Sequence, residues 1–370
     1  MHVTSDVTAG RAPSIRDVAR LAGVSHQTVS RVLNASPSIR DETRARVLDA
    51  MESLQYRPNR AARMLVTSRS RAIGILTSNR VHYGPSSSVM AIEEAARAAG
   101  YAVVTASLPS SEPEAIIAAL DHLLDQAVEG LVVIAPQTRV FDALASLSIR
   151  VPYVTMQSTE RDEWHALSVD QITGARIATR HLLELGHRSI YHLTGPQDWI
   201  EAEARMRGFL AEMSDWDVPT TAPILGDWTA DFGYRAGKEL LRFRDFTAVF
   251  SSNDQMALGF LHAVRDAGLD CPGDISIVGF DDIPEAAHFA PPLTTVRQDF
   301  PELGRRCVAL LLGQLEGEPG TRTPSCRSSW YGRRRRHRLA SARASAPRSR
   351  QPLPTRDGVE LTASRGRVLH

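Results

Sequence analysis

Ser14-Ile-Arg-Asp-Val-Ala-Arg-Leu-Ala-Gly-Val-Ser-His-Gln-Thr-Val-Ser-Arg-Val-Leu-Asn34 is the stretch from which the rest of the chain can be read. Ser14 to Asp17 has the form of a capping box, a short hydroxyl at the cap and an acid three residues on. Ile15, Val18, Ala19 and Ala22 then share one apolar helix face. Gly23 stops that helix, and Ser25 caps a second one running to about Leu33 with Val29 and Val32 inward. A third helix is expected from Asp41 to Leu54, with Val47, Leu48, Met51 and Leu54 at helical spacing and Arg40 as a poor cap. Two short helices joined by Ala22-Gly23-Val24-Ser25 have the spacing of a helix-turn-helix, whose second helix enters the major groove of DNA. The candidate DNA-contacting residues there are Ser25, His26, Gln27, Thr28, Ser30, Arg31 and Asn34. Gln can bond an adenine edge at two points, and Arg a guanine edge.

Charge supports a nucleic-acid reader. Residues 1–70 hold 11 Arg against 6 acidic residues, net +5, while residues 71–324 carry net −14. Residues 325–370 hold 12 Arg against 2 acids. A basic module on an acidic body reads as a nucleic-acid-binding unit joined to a domain of another kind. Length allows this, since 370 residues suit two or three domains. With 43% hydrophobic and 23% charged residues the chain can bury real cores, which excludes wholesale disorder. Neither a secretory h-region nor an apolar run of membrane-spanning length is visible. Cys271, Cys307 and Cys326 are scattered, suit a reducing cytoplasm and make no metal site.

From Arg71 the pattern changes to short apolar strands alternating with helix-length segments. Ala72–Leu76, Ala102–Ala106, Gly130–Ile134 and Tyr153–Thr155 form one set; Ser189–Leu193, Ala248–Ser251 and Ile275–Val278 form another. Helical stretches such as Met90–Ala99, Ala175–Leu185, Arg205–Met213 and Met256–Ala267 separate them. This predicts an α/β protein with two doubly wound parallel-sheet lobes, preceded by a small all-α headpiece. Nearly all-apolar strands are those covered on both faces. A cleft between the lobes is the default ligand site. Enzyme motifs are weak: Gly233-Tyr-Arg-Ala-Gly-Lys238 echoes a phosphate loop one residue short, with Glu239 where a hydroxyl is needed. Neither a Gly-x-Ser-x-Gly elbow nor a His-Glu-x-x-His site occurs. No cofactor is expected.

The headpiece wording resembles that of the lac repressor family nearly position for position. Tyr56-Arg-Pro-Asn-Arg-Ala-Ala-Arg-Met-Leu65 resembles that family's hinge, and the likeness continues through Ser252-Asn-Asp-Gln-Met-Ala-Leu-Gly259, Asp274-Ile-Ser-Ile-Val-Gly-Phe-Asp-Asp282 and Pro291-Pro-Leu-Thr-Thr-Val-Arg-Gln-Asp-Phe300. It spans about residues 14 to 322. The resemblance implies a cytoplasmic homodimeric regulator, usually a repressor, that binds a pseudo-palindromic double-stranded operator. A mono- or oligosaccharide effector held between periplasmic-binding-protein-like lobes would release it. It implies a hinge that wedges Leu65 into the minor groove, with Ala62 beside it and Asn59 and Arg60 near the backbone. It also implies effector contacts from Arg205, Trp228, Asn253, Asp281, Gln298 and Phe300. Two pocket positions depart from the family, with Gln157 for an acid and Ile134 for a polar residue. A purine-type regulator, whose ligand promotes DNA binding, is the closest alternative; a sugar-binding protein without DNA binding is a distant one.

The implied organisation is an N-terminal segment 1–13, headpiece 14–57, hinge 58–70, first lobe 71–168 with 299–322, second lobe 169–298, and a basic tail 323–370. No leucine heptad follows the core, so a dimer rather than a tetramer is expected. The tail reads as a frame-shift. The chain has 42 Arg and one Lys, which points to GC-rich codons, and permitted codons for Ser325 to Arg335 give Val-Ser-Val-Glu-Leu-Val-Arg-Ala-Ser-Thr two bases out of frame. That is the type of final strand the resemblance implies.

Overall fold

A computed structural model of the chain describes residues 13–33, 36–56, 64, 69–78, 82–135, 137–147, 149–156 and 165–317. The chain divides into two compact units, Met1–Ser70 and Arg71–His370. In the first, helices α1 (Ile15–Ala22), α2 (His26–Leu33) and α3 (Asp41–Ser53) pack around Val18, Ala19, Ala22, Val29, Val32, Val47 and Ala50. Local chemistry sets the helix ends. Ser14 donates its backbone N–H at 2.9 Å and its hydroxyl at 2.6 Å to Asp17 Oδ2, closing the first turn. Gly23, at φ +66°, supplies the left-handed residue that lets Val24 N–H donate back to Ala19 O at 3.0 Å. Ser25 Oγ accepts from Thr28 N–H at 3.1 Å and starts α2. Arg40 gives α3 no side-chain cap. One sequence expectation fails here. Leu48 is 50% exposed, because it stands about 100° around the helix from Val47, whereas Val47, Ala50, Met51 and Leu54 share the packed face.

The second unit contains two parallel sheets. The first has order β2-β1-β3-β4-β5, from β1 (Ala72–Thr77), β2 (Ala102–Ser107), β3 (Gly130–Ile134), β4 (Tyr153–Met156) and β5 (Ala166–Leu167). Around it lie α4 (Tyr83–Ala98), α5 (Pro113–Asp125) and α6 (Thr138–Ser146). The second sheet has order β10-β9-β8-β6-β7, from β6 (Ile190–Thr194), β7 (Ile224–Leu225), β8 (Ala248–Ser251), β9 (Ser276–Asp281) and β10 (Thr294–Arg297). Helices α7 (Gln171–Glu184), α8 (Ile200–Asp215), α9 (Ala230–Leu240) and α10 (Asp254–Asp266) accompany it, with a short 3₁₀ turn at Pro284–His288. Counted from each lobe's first strand, both sheets run 2-1-3-4-5, an order that opens a ligand crevice at the strands' carboxyl ends. The last helix, α11 (Phe300–Leu315), follows β10 in sequence yet packs on α4, β3 and β4 of the first lobe. The chain therefore passes between the lobes before α7 and again before α11.

Strand alternation builds the cores. Ile73 and Ile75 of β1 enter one layer with Val132 and Ile134, while Ala72 and Leu76 enter the opposite layer with Leu131 and Val133. Phe209, Phe250, Phe260 and Phe280, buried in the second lobe, stabilise it by roughly 1.5–3 kcal/mol each through loss of apolar surface. β2 breaks the all-apolar, doubly covered expectation: as an edge strand it leaves Ala102 to Thr105 half-buried. β5 and β7, two residues each, are too short to leave an apolar run in the sequence, and β10, Thr294-Thr-Val-Arg297, is too polar to read as one. The phosphate-loop echo is a helix packing site. Gly233 and Gly237 belong to α9, and a Cβ on Gly233 would stand 2.0 Å from Met256 O on α10.

Candidate functional site

A cleft with about 710 Å³ of empty space including its mouth opens at the carboxyl ends of both sheets. That size suits a small organic ligand. Arg205, Trp228, Asn253, Asp281, Gln298 and Phe300 all line it. Arg205 projects from α8; Asp281 ends β9; Asn253 follows β8 and caps α10; Gln298 and Phe300 span the second crossover.

Four of its polar side chains close a ring. Arg205 Nε donates to Gln171 Oε1 at 2.8 Å, Gln171 Nε2 to Gln298 Oε1 at 2.9 Å, and Gln298 Nε2 to Asp281 Oδ1 at 2.6 Å. Arg205 Nη2 completes the circuit 3.6 Å from that same oxygen, and Nη1 donates to the Ser252 carbonyl. The guanidinium carbon lies 3.9 Å from the Phe280 ring centroid and 5.6 Å from that of Trp228. Its Nε and Nη1 are therefore engaged by protein acceptors in the ligand-free cleft, while Nη2 pairs with Asp281 at ion-pair distance. Asn253 is similarly engaged: Oδ1 accepts from Met256 N–H at 2.9 Å and Nδ2 donates to Trp228 O at 2.9 Å. Burial pushes Asp281 up to about 6, against the opposing pull of Arg205 and the Gln298 hydrogen bond. The same burial lowers Arg205, with Asp281 and then Glu201 raising it.

Backbone strain collects at this cleft. Trp228 has φ +71° and Asp281 φ +113°, conformations that cost a non-glycine residue of order 1–3 kcal/mol. The Trp228 ring packs against Gly195, where a Cβ would come within 2.0 Å of it.

Sequence reasoning missed His82, Tyr83, Gln171, Trp199 and Glu201, which also line the cleft. None lies in a motif; Trp199 and Glu201 precede Arg205 by less than two helical turns, the only signal available. Gln157 lies outside the described residues. In the headpiece, Ser25, His26, Gln27 and Arg31 are exposed and Thr28 and Ser30 half-buried. Ser25 and Thr28 also bond each other at 2.9 Å. Asn34, Asn59, Arg60, Ala62 and Leu65 lie outside the described residues. Among the described residues no helix is long and apolar enough to cross a membrane.

A helix-turn-helix unit joined to a two-lobed core with one interlobe cleft defines a ligand-binding, DNA-recognising protein. Comparison with known proteins narrows this. Residues 14–59 match the model described as bacterial regulatory proteins, lacI family, and residues 179–346 match the periplasmic binding protein-like domain. The chain is 36% identical over 308 residues to the lactose operon repressor of Escherichia coli (strain K12), covering 82% of this chain and 85% of that protein. A crystal structure of the lac repressor dimer bound to operator and the anti-inducer ONPF superposes with TM-score 0.75 at 35% identity, covering 83% and 94% of the two chains. A complex of the regulator CelR with cellobiose gives TM-score 0.61 at 30% identity, covering 83% and 94%. The chain belongs to the lacI family of bacterial regulatory proteins, and it is a transcriptional regulator rather than an enzyme.

Proposed function

We propose that this protein is a repressor which binds a pseudo-palindromic operator as a homodimer in the cytoplasm and is released by a mono- or oligosaccharide in the interlobe cleft. One observation carries the reading. Six residues that the family resemblance marks as effector contacts, scattered from Arg205 to Phe300, line one cleft that joins a closed polar ring to aromatic walls. Sugars need both, because their hydroxyls demand directed partners and their C–H faces stack on rings. Ser25, His26, Gln27, Thr28, Ser30, Arg31 and Asn34 are the proposed groove contacts, and Asn59, Arg60, Ala62 and Leu65 the proposed hinge contacts.

The effector acts by differential affinity for two arrangements of the lobes. Closure around a sugar must break or reuse the Arg205–Gln171–Gln298–Asp281 ring, so ligand occupancy and lobe geometry are tied to the same hydrogen bonds. Linkage then requires operator DNA to weaken sugar binding by the factor by which sugar weakens operator binding.

The test is a thermal-shift screen of sugars beside purines, followed by operator gel shifts with each hit. A sugar that stabilises the protein and releases DNA supports the reading. A purine that tightens DNA binding replaces it with the corepressor alternative. Arg205→Ala is expected to keep operator binding and lose the ligand response; normal induction in that variant removes Arg205 from the site.

A further inference from the structure

Two buried polar atoms of the cleft have no partner among the described residues: Glu201 Oε2 and Trp228 Nε1. Glu201 is the second residue of α8, one turn before Arg205 and on the same face, so both reach the cleft. The residue is partly exposed as a whole, but Oε2 is shut away from solvent; the carboxylate bonds its own backbone N–H and feels Arg205 through space. A buried acceptor without a donor is costly, and ligand sites are among the few places where such a group persists.

The charge count around it is uneven. Two carboxylates, Glu201 and Asp281, face one guanidinium, which donates to Gln171 and the Ser252 carbonyl and forms an ion pair with Asp281. With both acids ionised the cleft holds one surplus negative charge. His82, at the cap of α4, is held towards its neutral form by burial, and Tyr83 beside it can ionise only to an anion, which burial also disfavours. Asp227 acts on His82, and Asp254, below the cleft, is already bonded to Ile283 N–H and Thr295 Oγ1. The neighbouring wall is aromatic. His82 meets Trp199 edge-on at 5.4 Å, and Trp199 meets Trp228 edge-on at 5.4 Å. Ring faces beside an unpaired carboxylate favour an organic cation.

We infer that the effector carries a protonated amine, that it is an amino sugar, and that Glu201 receives the ammonium group while Trp228 Nε1–H donates to a ring or hydroxyl oxygen. The inference rests on the sugar reading of the cleft. It fits the protonation state of Glu201, which burial pushes up to about 7 in the ligand-free cleft despite Arg205. An arriving ammonium favours the ionised carboxylate, so binding near neutrality releases a proton; a neutral hydroxyl makes no such demand.

The experiment is isothermal titration of the full chain at pH 6.5, in two buffers of different ionisation enthalpy, with paired sugars. The pairs are D-glucosamine with D-glucose, D-galactosamine with D-galactose, and fully deacetylated chitobiose with cellobiose. We expect at least one amino sugar to bind about tenfold or more tightly than its neutral partner, with net proton release. Glu201→Gln, isosteric and neutral, should erase the amino-over-neutral affinity ratio and the proton release. If neutral sugars bind as tightly as their amino partners and Glu201→Gln leaves the ratio unchanged, the inference falls and the sugar reading stands. If an amino sugar is preferred but Glu201→Gln retains the preference, Glu201 is not the receiving group. If no sugar of either kind binds, the inference and the sugar reading fall together.

Discussion

Arg205 Nη2 stands 3.6 Å from Asp281 Oδ1, and neither side chain is more than 7% exposed. A buried pair of this kind contributes little net stability when intact but costs about 3–5 kcal/mol when one member is removed, because a charge is stranded in the interior. Asp281→Asn is therefore expected to destabilise the core by about that amount. Urea unfolding followed by tryptophan fluorescence measures it, since every tryptophan lies beyond residue 70 and reports on the second unit alone. A loss below about 1 kcal/mol would show that solvent reaches the pair.

Gly195→Ala should deform the cleft from outside its polar ring. The new Cβ would stand 2.0, 2.2 and 2.5 Å from three atoms of the Trp228 ring, so the indole must move. Overpacking of this kind costs about 1–3 kcal/mol. Operator binding without effector should survive, while effector affinity drops. Unchanged tryptophan fluorescence and unchanged affinity would mean that the ring is not held as described.

The base-reading role of α2 predicts a split between specific and non-specific binding. Gln27→Ala should cost about 1–3 kcal/mol of operator affinity and leave binding to random duplex nearly intact. Salt titration distinguishes the two, since phosphate contacts steepen the salt dependence and base contacts do not. A parallel loss on both DNAs would assign Gln27 to the backbone.

Acid stability should depend on His192. It is fully buried, stacks on Phe250 at 4.8 Å and bonds Ser252 Oγ at 2.8 Å, and burial lowers it to about 3. A histidine depressed below its unfolded value of 6.5 stabilises the fold above that value, and the stabilisation drains away as pH falls from 6.5 towards 3. Asp281 and Glu201, raised by burial, work in the opposite direction over the intervening range. Comparing His192→Phe with the parent from pH 7 to 4 isolates the histidine: the variant should lose a slope of at most about 1.4 kcal/mol per pH unit. Identical slopes would mean that His192 titrates alike in the folded and unfolded chain.

Nucleotide sequencing across the Pro324 codon tests the frame-shift proposed for the tail. The expected result is an alternative frame encoding Val-Ser-Val-Glu-Leu-Val-Arg-Ala-Ser-Thr over Ser325 to Arg335. Codons incompatible with that reading leave the basic tail as a genuine part of the chain.

Features that depend on near neighbours were readable in the chain. Ser14 with Asp17, Gly23, and Ser25 with Thr28 close hydrogen bonds within four residues, so the headpiece helices and their ends were legible before any coordinate. Apolar runs such as Gly130–Ile134 and Ala248–Ser251 declared themselves as strands because both faces are buried. The six cleft residues were found through family wording, not through spacing; nothing local connects Arg205 to Gln298. The wiring of the site comes from packing between segments distant in the chain. The two crossovers bring α8, β9 and the segment before α11 together, and that placement turns Arg205 inward onto Gln171 and Asp281. It also sets Trp199, His82 and Glu201 around the same space. A lone glutamate at the start of an amphipathic helix reads as a solvated capping charge; its meaning changes because another lobe covers it. Desolvation is a property of neighbours distant in sequence, and no periodicity records it.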